Sequence, residues 1–437
     1  MQQITFVIAI HQNPEPLQRI QFFVDVTHAL EQRVVITRGH SQEFKPALVQ
    51  RSHGLDDVIR CHRNGAGPGY KNEGIYYEHV VTTEGFNEAF SIMYHLRPPT
   101  RVRNVKLLKC EELKKATDSP LRHHHLKTAN IPRRGDLYTG RVPILFNQDV
   151  VAYRARPEKA YDKFQYYRNG GADEIIFVFK GGGTLESVFG KQRYRAEDYI
   201  VIPRGITYRL VPDNVEEEDY LILESVGPVR IPQRYVNKEG QIKMGSPYSE
   251  RDLHGPTEPL AIDKDEDTEI LVKDGPRWTQ VTMAHHPFDV VGWDGYVYPF
   301  TFNAQDFEPI TGTVHQPPPI HQTFEIRGYV VCTFAPRMLD THPEAVKIPW
   351  VHDNVEADEV LFYVRGNFGS RRGIEPASIT LHPRGIPHGP HPGTIVASKN
   401  AIRTEELAVM FDTQHTLELT EQAVALDDEK YPQSWLD

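Results

Sequence analysis

His352, Glu359 and His388 are three residues whose types and spacing point to metal chemistry, and an internal repeat is what singles them out. The stretch DEIIFVFKGGG, Asp173 to Gly183, returns as DEVLFYVRGNF, Asp358 to Phe368, a shift of 185 residues. PRGITY, Pro203 to Tyr208, returns as PRGIPH, Pro383 to His388, a shift of 180. Two matches in the same order indicate a duplicated strand-and-turn unit. Laid over each other, the copies match Glu359 with Glu174, His352 with Tyr167 and His388 with Tyr208. The second copy therefore holds two imidazoles and a carboxylate where the first keeps only the carboxylate. Two imidazoles and one carboxylate on a rigid scaffold make the facial triad of non-haem Fe(II) oxygenases, with three metal positions left open. Tyrosine at both histidine positions leaves the first copy without a metal, as a structural partner.

The commonplace reading has to be set beside this one. The chain has 21 histidines, and a histidine in a Pro-rich turn such as HPRGIPHGPHPG, residues 382–393, is ordinarily a surface or capping residue. His382 and His391 are read that way, as structural residues or as supports of the site. RHHHLKT, Arg122 to Thr128, looks like a metal motif. Consecutive histidines on a strand point to opposite faces, so a solvated or interface segment is expected there.

The elements that must position the triad are strands. DEIIFVFKGGG, YIVIPRGI, YLILESVG, DEVLFYVRGN, SITLHPRGI and ELAVMFDT are short apolar runs rich in Val, Ile, Tyr and Phe, cut by Gly and Pro. That pattern predicts a sandwich or barrel, all-β dominated. Helix is expected only around LDDVIRCH (55–62) and over the last dozen residues. NVEEED (214–219) and DKDEDTE (263–269) read as solvated loops, the second as a hinge between halves. The expected division is an N-terminal extension over 1–45, an N-terminal domain over 46–262, a C-terminal catalytic domain over 270–425 and a tail over 426–437.

Composition sets further bounds. With 437 residues, of which 39% are hydrophobic, the chain can bury a large core. A net charge of −10 with interspersed signs excludes a basic nucleic-acid footprint. Three cysteines, Cys61, Cys110 and Cys332, are too far apart for a thiolate site and suit a reducing compartment. ITFVIAI, residues 4–10, lacks the basic residues that precede a signal peptide core and is far too short for a membrane span. The expectation is a cytoplasmic protein with no membrane partner.

On FDVVGWDGYVYPFTFN (288–303), VHQPPPIHQTFE (314–325), VRGN, SITLHPRGIPHGP and ELAVMFDT, the C-terminal half resembles homogentisate 1,2-dioxygenases. YYEHVVTTEGF, MYHLRPPT and RGDLYTGRVPILFNQDVV resemble the compact bacterial branch of that family, so the likeness runs from Tyr76 to Gln422. The resemblance implies a bicupin, two β-sandwich or jelly-roll barrels with few short helices, whose N-terminal cupin is metal-free. It implies Fe(II) held by His352, Glu359 and His388, the set that the repeat selects. It also implies an acid/base histidine at His315, with His321 as the rival, and a substrate lined by Phe368, His382, His388 and His321. The implied reaction opens homogentisate with O₂ to maleylacetoacetate in tyrosine and phenylalanine breakdown. The implied assembly is a homo-oligomer, a trimer or a hexamer.

Two departures stand out. Phe368 replaces a tyrosine of better-known members, and a phenyl ring cannot hydrogen-bond a substrate hydroxyl or carboxylate. The His352–Glu359 spacing is one residue longer, which a bulge can absorb. The competing expectations are a dioxygenase for another hydroquinone-type acid such as gentisate, and a non-enzymatic bicupin binding protein.

Overall fold

The computed structural model describes residues 76–437, apart from 118, 314, 349, 367, 369–372 and 437. The expected N-terminal extension and the LDDVIRCH helix lie outside the described residues. Each apolar run named above forms a strand: Asp173–Lys180, Asp198–Ile202, Asp219–Ser225, Asp358–Arg365, Ile379–His382 and Leu407–Thr413. The two DE-runs are strands of equal length, eight residues each, buried at every position but the last. A run buried on both faces needs apolar residues throughout rather than in alternation, and both runs have that character.

Three sheets stack as layers. An eight-stranded sheet runs in the order Leu253–His254, Phe300–Asn303, Asp198–Ile202, Asp173–Lys180, Asp219–Ser225, Val150–Ala155, Val142–Phe146 and Glu418–Leu419. Ile176, Val178, Ile200 and Ile222 on one face pack with Leu185, Tyr194, Tyr208 and Leu210 of a seven-stranded sheet, closing the first barrel. Ile175, Phe177, Tyr199 and Leu223 on the other face pack with Phe324, Val331, Val360, Phe362 and Phe411 of a six-stranded sheet. Burying each such side chain contributes about 1.5–3 kcal/mol. The architecture is an all-β bicupin in which one sheet serves both cores. The strands Thr268–Asp274 and Arg277–Met283, directly after the acidic run, pair within the seven-stranded sheet of the first repeat.

The repeated PRG turns have one structural job. Arg204 donates to Asp173 Oδ1 from its backbone N (3.2 Å) and its Nε (2.9 Å). Arg384 donates to Asp358 Oδ1 from the same two atoms, at 3.0 and 3.1 Å. Each turn is thereby clamped to the first residue of its DE-strand. The following glycines, Gly205 (φ +79°) and Gly385 (φ +77°), sit in the left-handed region with open space around them. Conformation rather than crowding requires glycine there.

Helix is sparse. Among the described residues the α-helices are four-residue turns, Thr394–Ala397 and Glu421–Val424, and the last dozen residues hold only the 3₁₀ turn Tyr431–Trp435. No helix among the described residues is long and apolar enough to cross a membrane.

Candidate metal centre

Alternation along Asp358–Arg365 sends Val360, Phe362 and Val364 into the core shared with the eight-stranded sheet. Glu359, Leu361 and Tyr363 point the opposite way. There the apolar residues join a cluster of Cys332, Phe368, Ala408 and Met410. In the first repeat the corresponding face is covered by the seven-stranded sheet. In the second, the described residues pair outside the six-stranded sheet as a two-stranded ribbon, Arg337–Met338 with Arg403–Thr404, and at an isolated bridge between His352 and His388. That bridge sets the two histidines side by side on neighbouring segments, through His352 N–H to His388 O at 2.8 Å and His388 N–H to His352 O at 2.9 Å.

The result is a cluster of His352, Glu359 and His388 whose donor atoms all lie within 4.8 Å of one another. His352 Nε2 is 3.3 Å from Glu359 Oε2, and His388 Nε2 is 3.3 Å from Glu359 Oε1. His388 Nδ1–H donates to Ile386 O at 3.3 Å, which leaves the lone pair of Nε2 facing the cluster. Nε2 is buried and makes no hydrogen bond. A buried imidazole nitrogen left to a cation, beside a carboxylate and a second imidazole, fits a divalent metal with positions to spare. Burial alone would push the Glu359 carboxyl up, yet the imidazoles gathered around it, His352, His382 and His388, hold it well below the usual carboxylate range. The extra residue between His352 and Glu359 falls in the non-strand segment 353–357, so no bulge in the strand is needed.

The surroundings orient these donors. His382, expected as a support or a substrate contact, donates from Nδ1 to Glu359 Oε1 at 2.9 Å, and Tyr431 OH bonds its Nε2 at 3.1 Å. It stacks on His388, with centroids 4.5 Å apart. Asp412 stands across from Glu359 in register, and burial next to that carboxylate pushes its own carboxyl well up. The C-terminal turn closes the far side, where Trp435 packs on His123 (4.9 Å) and His391 (4.4 Å). The solvated reading of RHHHLKT is overturned. His123, His124 and His125 are all buried, because His124–Leu126 pairs with Ile379–His382 and His123 lies edge-on to both His382 and His388.

The remaining predicted residues divide. His315 is exposed; its Nδ1 is 3.1 Å from Asp340 Oδ2, and its ring meets Trp350, two residues before His352, at 4.7 Å. His321 is buried against Phe334 at 4.5 Å, and burial pulls its pKa down to about 3. Phe368 is buried, edge-on to Tyr363 at 4.8 Å, on the same side of the sheet as Glu359.

In the first copy Tyr167 and Tyr208 are direct cross-strand partners, as the two histidines are in the second. Tyr208 OH donates to Glu174 Oε2 at 2.5 Å. Arg141, outside the repeat, pairs with Glu174 through Nη1, donates to Tyr208 OH from Nη2 at 3.2 Å and lies over the Tyr167 ring at 5.1 Å. A guanidinium thus stands where the second copy gathers its metal donors. Burial would lower the Arg141 pKa, but Glu174 and its neighbours hold it well above the ordinary value.

The N-terminal model of homogentisate 1,2-dioxygenase matches residues 144–304 and the C-terminal model matches 302–437. A Saccharolobus solfataricus protein, named provisionally as a dioxygenase with no substrate given, is 38% identical over 386 residues, 86% of this chain and 99% of its own. The homogentisate 1,2-dioxygenase of Bradyrhizobium diazoefficiens is 27% identical over 273 residues, 59% of each chain. Among solved structures, a cupin 2 conserved barrel domain protein from Leptotrichia buccalis aligns at TM-score 0.29 and 8% identity, covering 70% of this chain and 100% of that one. With the two-histidine, one-carboxylate cluster on its bicupin scaffold, this chain is an oxygenase of the homogentisate 1,2-dioxygenase family.

Proposed function

We propose that the protein is an Fe(II)-dependent ring-cleaving dioxygenase that converts homogentisate and O₂ to maleylacetoacetate in tyrosine and phenylalanine breakdown. The observation that carries this reading is the convergence of His352, Glu359 and His388 with positions to spare. When bound there, iron supplies a Lewis-acidic, redox-active centre at which an aromatic hydroxyl and O₂ can meet. The protein's own part is to hold and orient. His382 and Tyr431 fix Glu359 from behind, and the Ile386 carbonyl fixes the tautomer of His388. His315 is the proton carrier: Asp340 accepts its Nδ1–H, which leaves Nε2 to take a proton from a substrate hydroxyl and return it. His321 is the weaker candidate, because it is buried against Phe334. Phe368 favours one second reading, in which the substrate is another hydroquinone-type acid such as gentisate. The test is iron per chain together with O₂ uptake across a panel of dihydroxyaryl acids. Iron near one per chain with uptake highest on homogentisate supports the proposal. Uptake highest on gentisate replaces the substrate, and a metal-free native protein overturns the enzyme reading in favour of a binding protein.

A further inference from the structure

A cavity of about 250 Å³, lined by residues between His79 and Thr207 and between Val281 and Pro287, shares no residue with the metal cluster. The strands Tyr77–Thr82, Phe90–His95, Tyr166–Asn169 and Arg277–Met283 contribute to its walls. Arg168 is its one guanidinium. Arg168 donates from Nε (2.8 Å) and Nη2 (2.6 Å) to the hydroxyl of Thr207, a neutral partner. Burial lowers its pKa with no carboxylate to offset the effect. Among the described residues, then, a half-buried positive charge lines this cavity with no carboxylate in ion-pairing distance. Such a charge is costly unless something anionic meets it.

The neighbouring histidines do not supply that charge. His79 sits at the end of a chain in which Asp289 Oδ1 accepts from His95 Nδ1 at 2.6 Å and His95 Nε2 accepts from His79 Nδ1 at 3.3 Å. That order leaves the Nε2 of His79 for a ligand. Burial, then His95 and Arg168, bring its pKa down to about 4. His285 also lines the cavity; it is buried, and its Nδ1 has no hydrogen-bond partner. Met93, Val281 and Met283 make the rest of the wall apolar.

We propose that this cavity binds a small organic carboxylate, with the anionic head on Arg168 and the apolar body against Met93, Val281 and Met283. A guanidinium fork matches two carboxylate oxygens in one plane. One cation beside neutral histidines suits a single negative charge better than a phosphate dianion. The volume takes one ring or a short branched chain.

The experiment uses the full holo-protein labelled with ¹³C at methionine methyls, titrated with benzoate, with benzamide and with inorganic phosphate. Benzoate should shift the Met93 and Met283 methyls and leave Met410, in the apolar cluster beside Glu359, unmoved. Benzamide lacks the charge and phosphate lacks the apolar body, so neither should shift them. Arg168→Gln should weaken benzoate by roughly tenfold or more, the loss expected for a charge-assisted bond, without moving the melting temperature by more than a few degrees. Arg168→Lys keeps the charge and loses the fork, and should weaken benzoate by less. If Arg168→Gln does not fold, the benzoate–benzamide contrast in the parent still decides. The proposal falls if benzoate leaves both methyls unmoved or shifts Met410 instead. It also falls if benzamide binds as well as benzoate, if phosphate binds better, or if Arg168→Gln binds benzoate like the parent.

Discussion

At positions 352 and 388 an imidazole nitrogen reaches towards Glu359, whereas at 167 and 208 a phenol occupies the matching place. His388→Tyr transplants the first copy's residue into the second. The fold already accepts tyrosine after this turn at Tyr208, so circular dichroism should stay close to the parent. Iron should fall well below one per chain and substrate-dependent O₂ uptake to background, because a phenol titrates near ~10 and one of three donors is gone. Tyr208→His alone should bind no metal, since Arg141 already pairs with Glu174 and Tyr167 remains. His315→Ala should keep its iron and lose roughly 10²–10⁴-fold in turnover; parental turnover in that variant would transfer the role to His321. Phe368→Tyr places a hydroxyl on the Glu359 side of the sheet and should lower KM for the substrate about tenfold, the value of a hydrogen bond to a charged group. An unchanged KM would make Phe368 a packing residue only. The triad was legible because its members lie inside a duplicated unit, so one copy served as the control for the other. Arg141 was not legible, because it lies outside the repeat and nothing in RVPILF marks its arginine. Asp412 could have been found. YLILES and LAVMFD each carry one acid in an apolar strand, and both acids, Glu224 and Asp412, face the site glutamate of their own copy.

The PRG turn and the DE-strand form the element that carries His388, and the clamp between them can be tested in both copies. Asp358 and Asp173 are both buried, so removing either arginine leaves a carboxylate without its main cation. Arg204→Ala and Arg384→Ala should each cost roughly 2–3 kcal/mol in denaturant unfolding. Only Arg384→Ala should also weaken metal retention in competition with a chelator, because only that turn positions a metal donor. Equal metal retention in the two variants would mean that His388 is held by its bridge to His352 alone. The strands themselves were readable from short β-branched and aromatic runs. The solvated alternative for RHHHLKT failed because its burial comes from pairing with Ile379–His382, more than 250 residues away, a contact that local alternation does not encode. The closure by Tyr431 and Trp435 was hidden for the same reason.

The whole molecule has a pH signature. His286 is held neutral: its Nδ1 accepts from the Phe288 N–H at 3.1 Å, its Nε2–H donates to Tyr166 OH at 2.8 Å, and burial brings its pKa to about 4. His79 is also brought to about 4, and His321 to about 3. In the unfolded chain each titrates near 6.5. As pH falls through 6.5 the unfolded chain takes up protons that the folded chain refuses, so stability drops until the folded values near 4 and 3 are reached. Glu218, whose carboxyl burial pushes up to about 7, works in the opposite sense over the same window, but it is one group against three. Denaturant midpoints should therefore fall on balance between pH 6.5 and 5. His286→Gln should make that slope shallower, and an unchanged slope would remove His286 from the set.

The charge at the centre of the first barrel is part of the polypeptide. Arg141 cannot be chelated, oxidised or exchanged for a competing ion, so that barrel reaches its final electrostatic balance from translation alone. Its eight-stranded sheet is also the floor on which the second barrel is built. If the second barrel takes the proposed iron, a chain made under iron starvation should still complete the floor and stay folded, and resistance to limited proteolysis after chelation checks this.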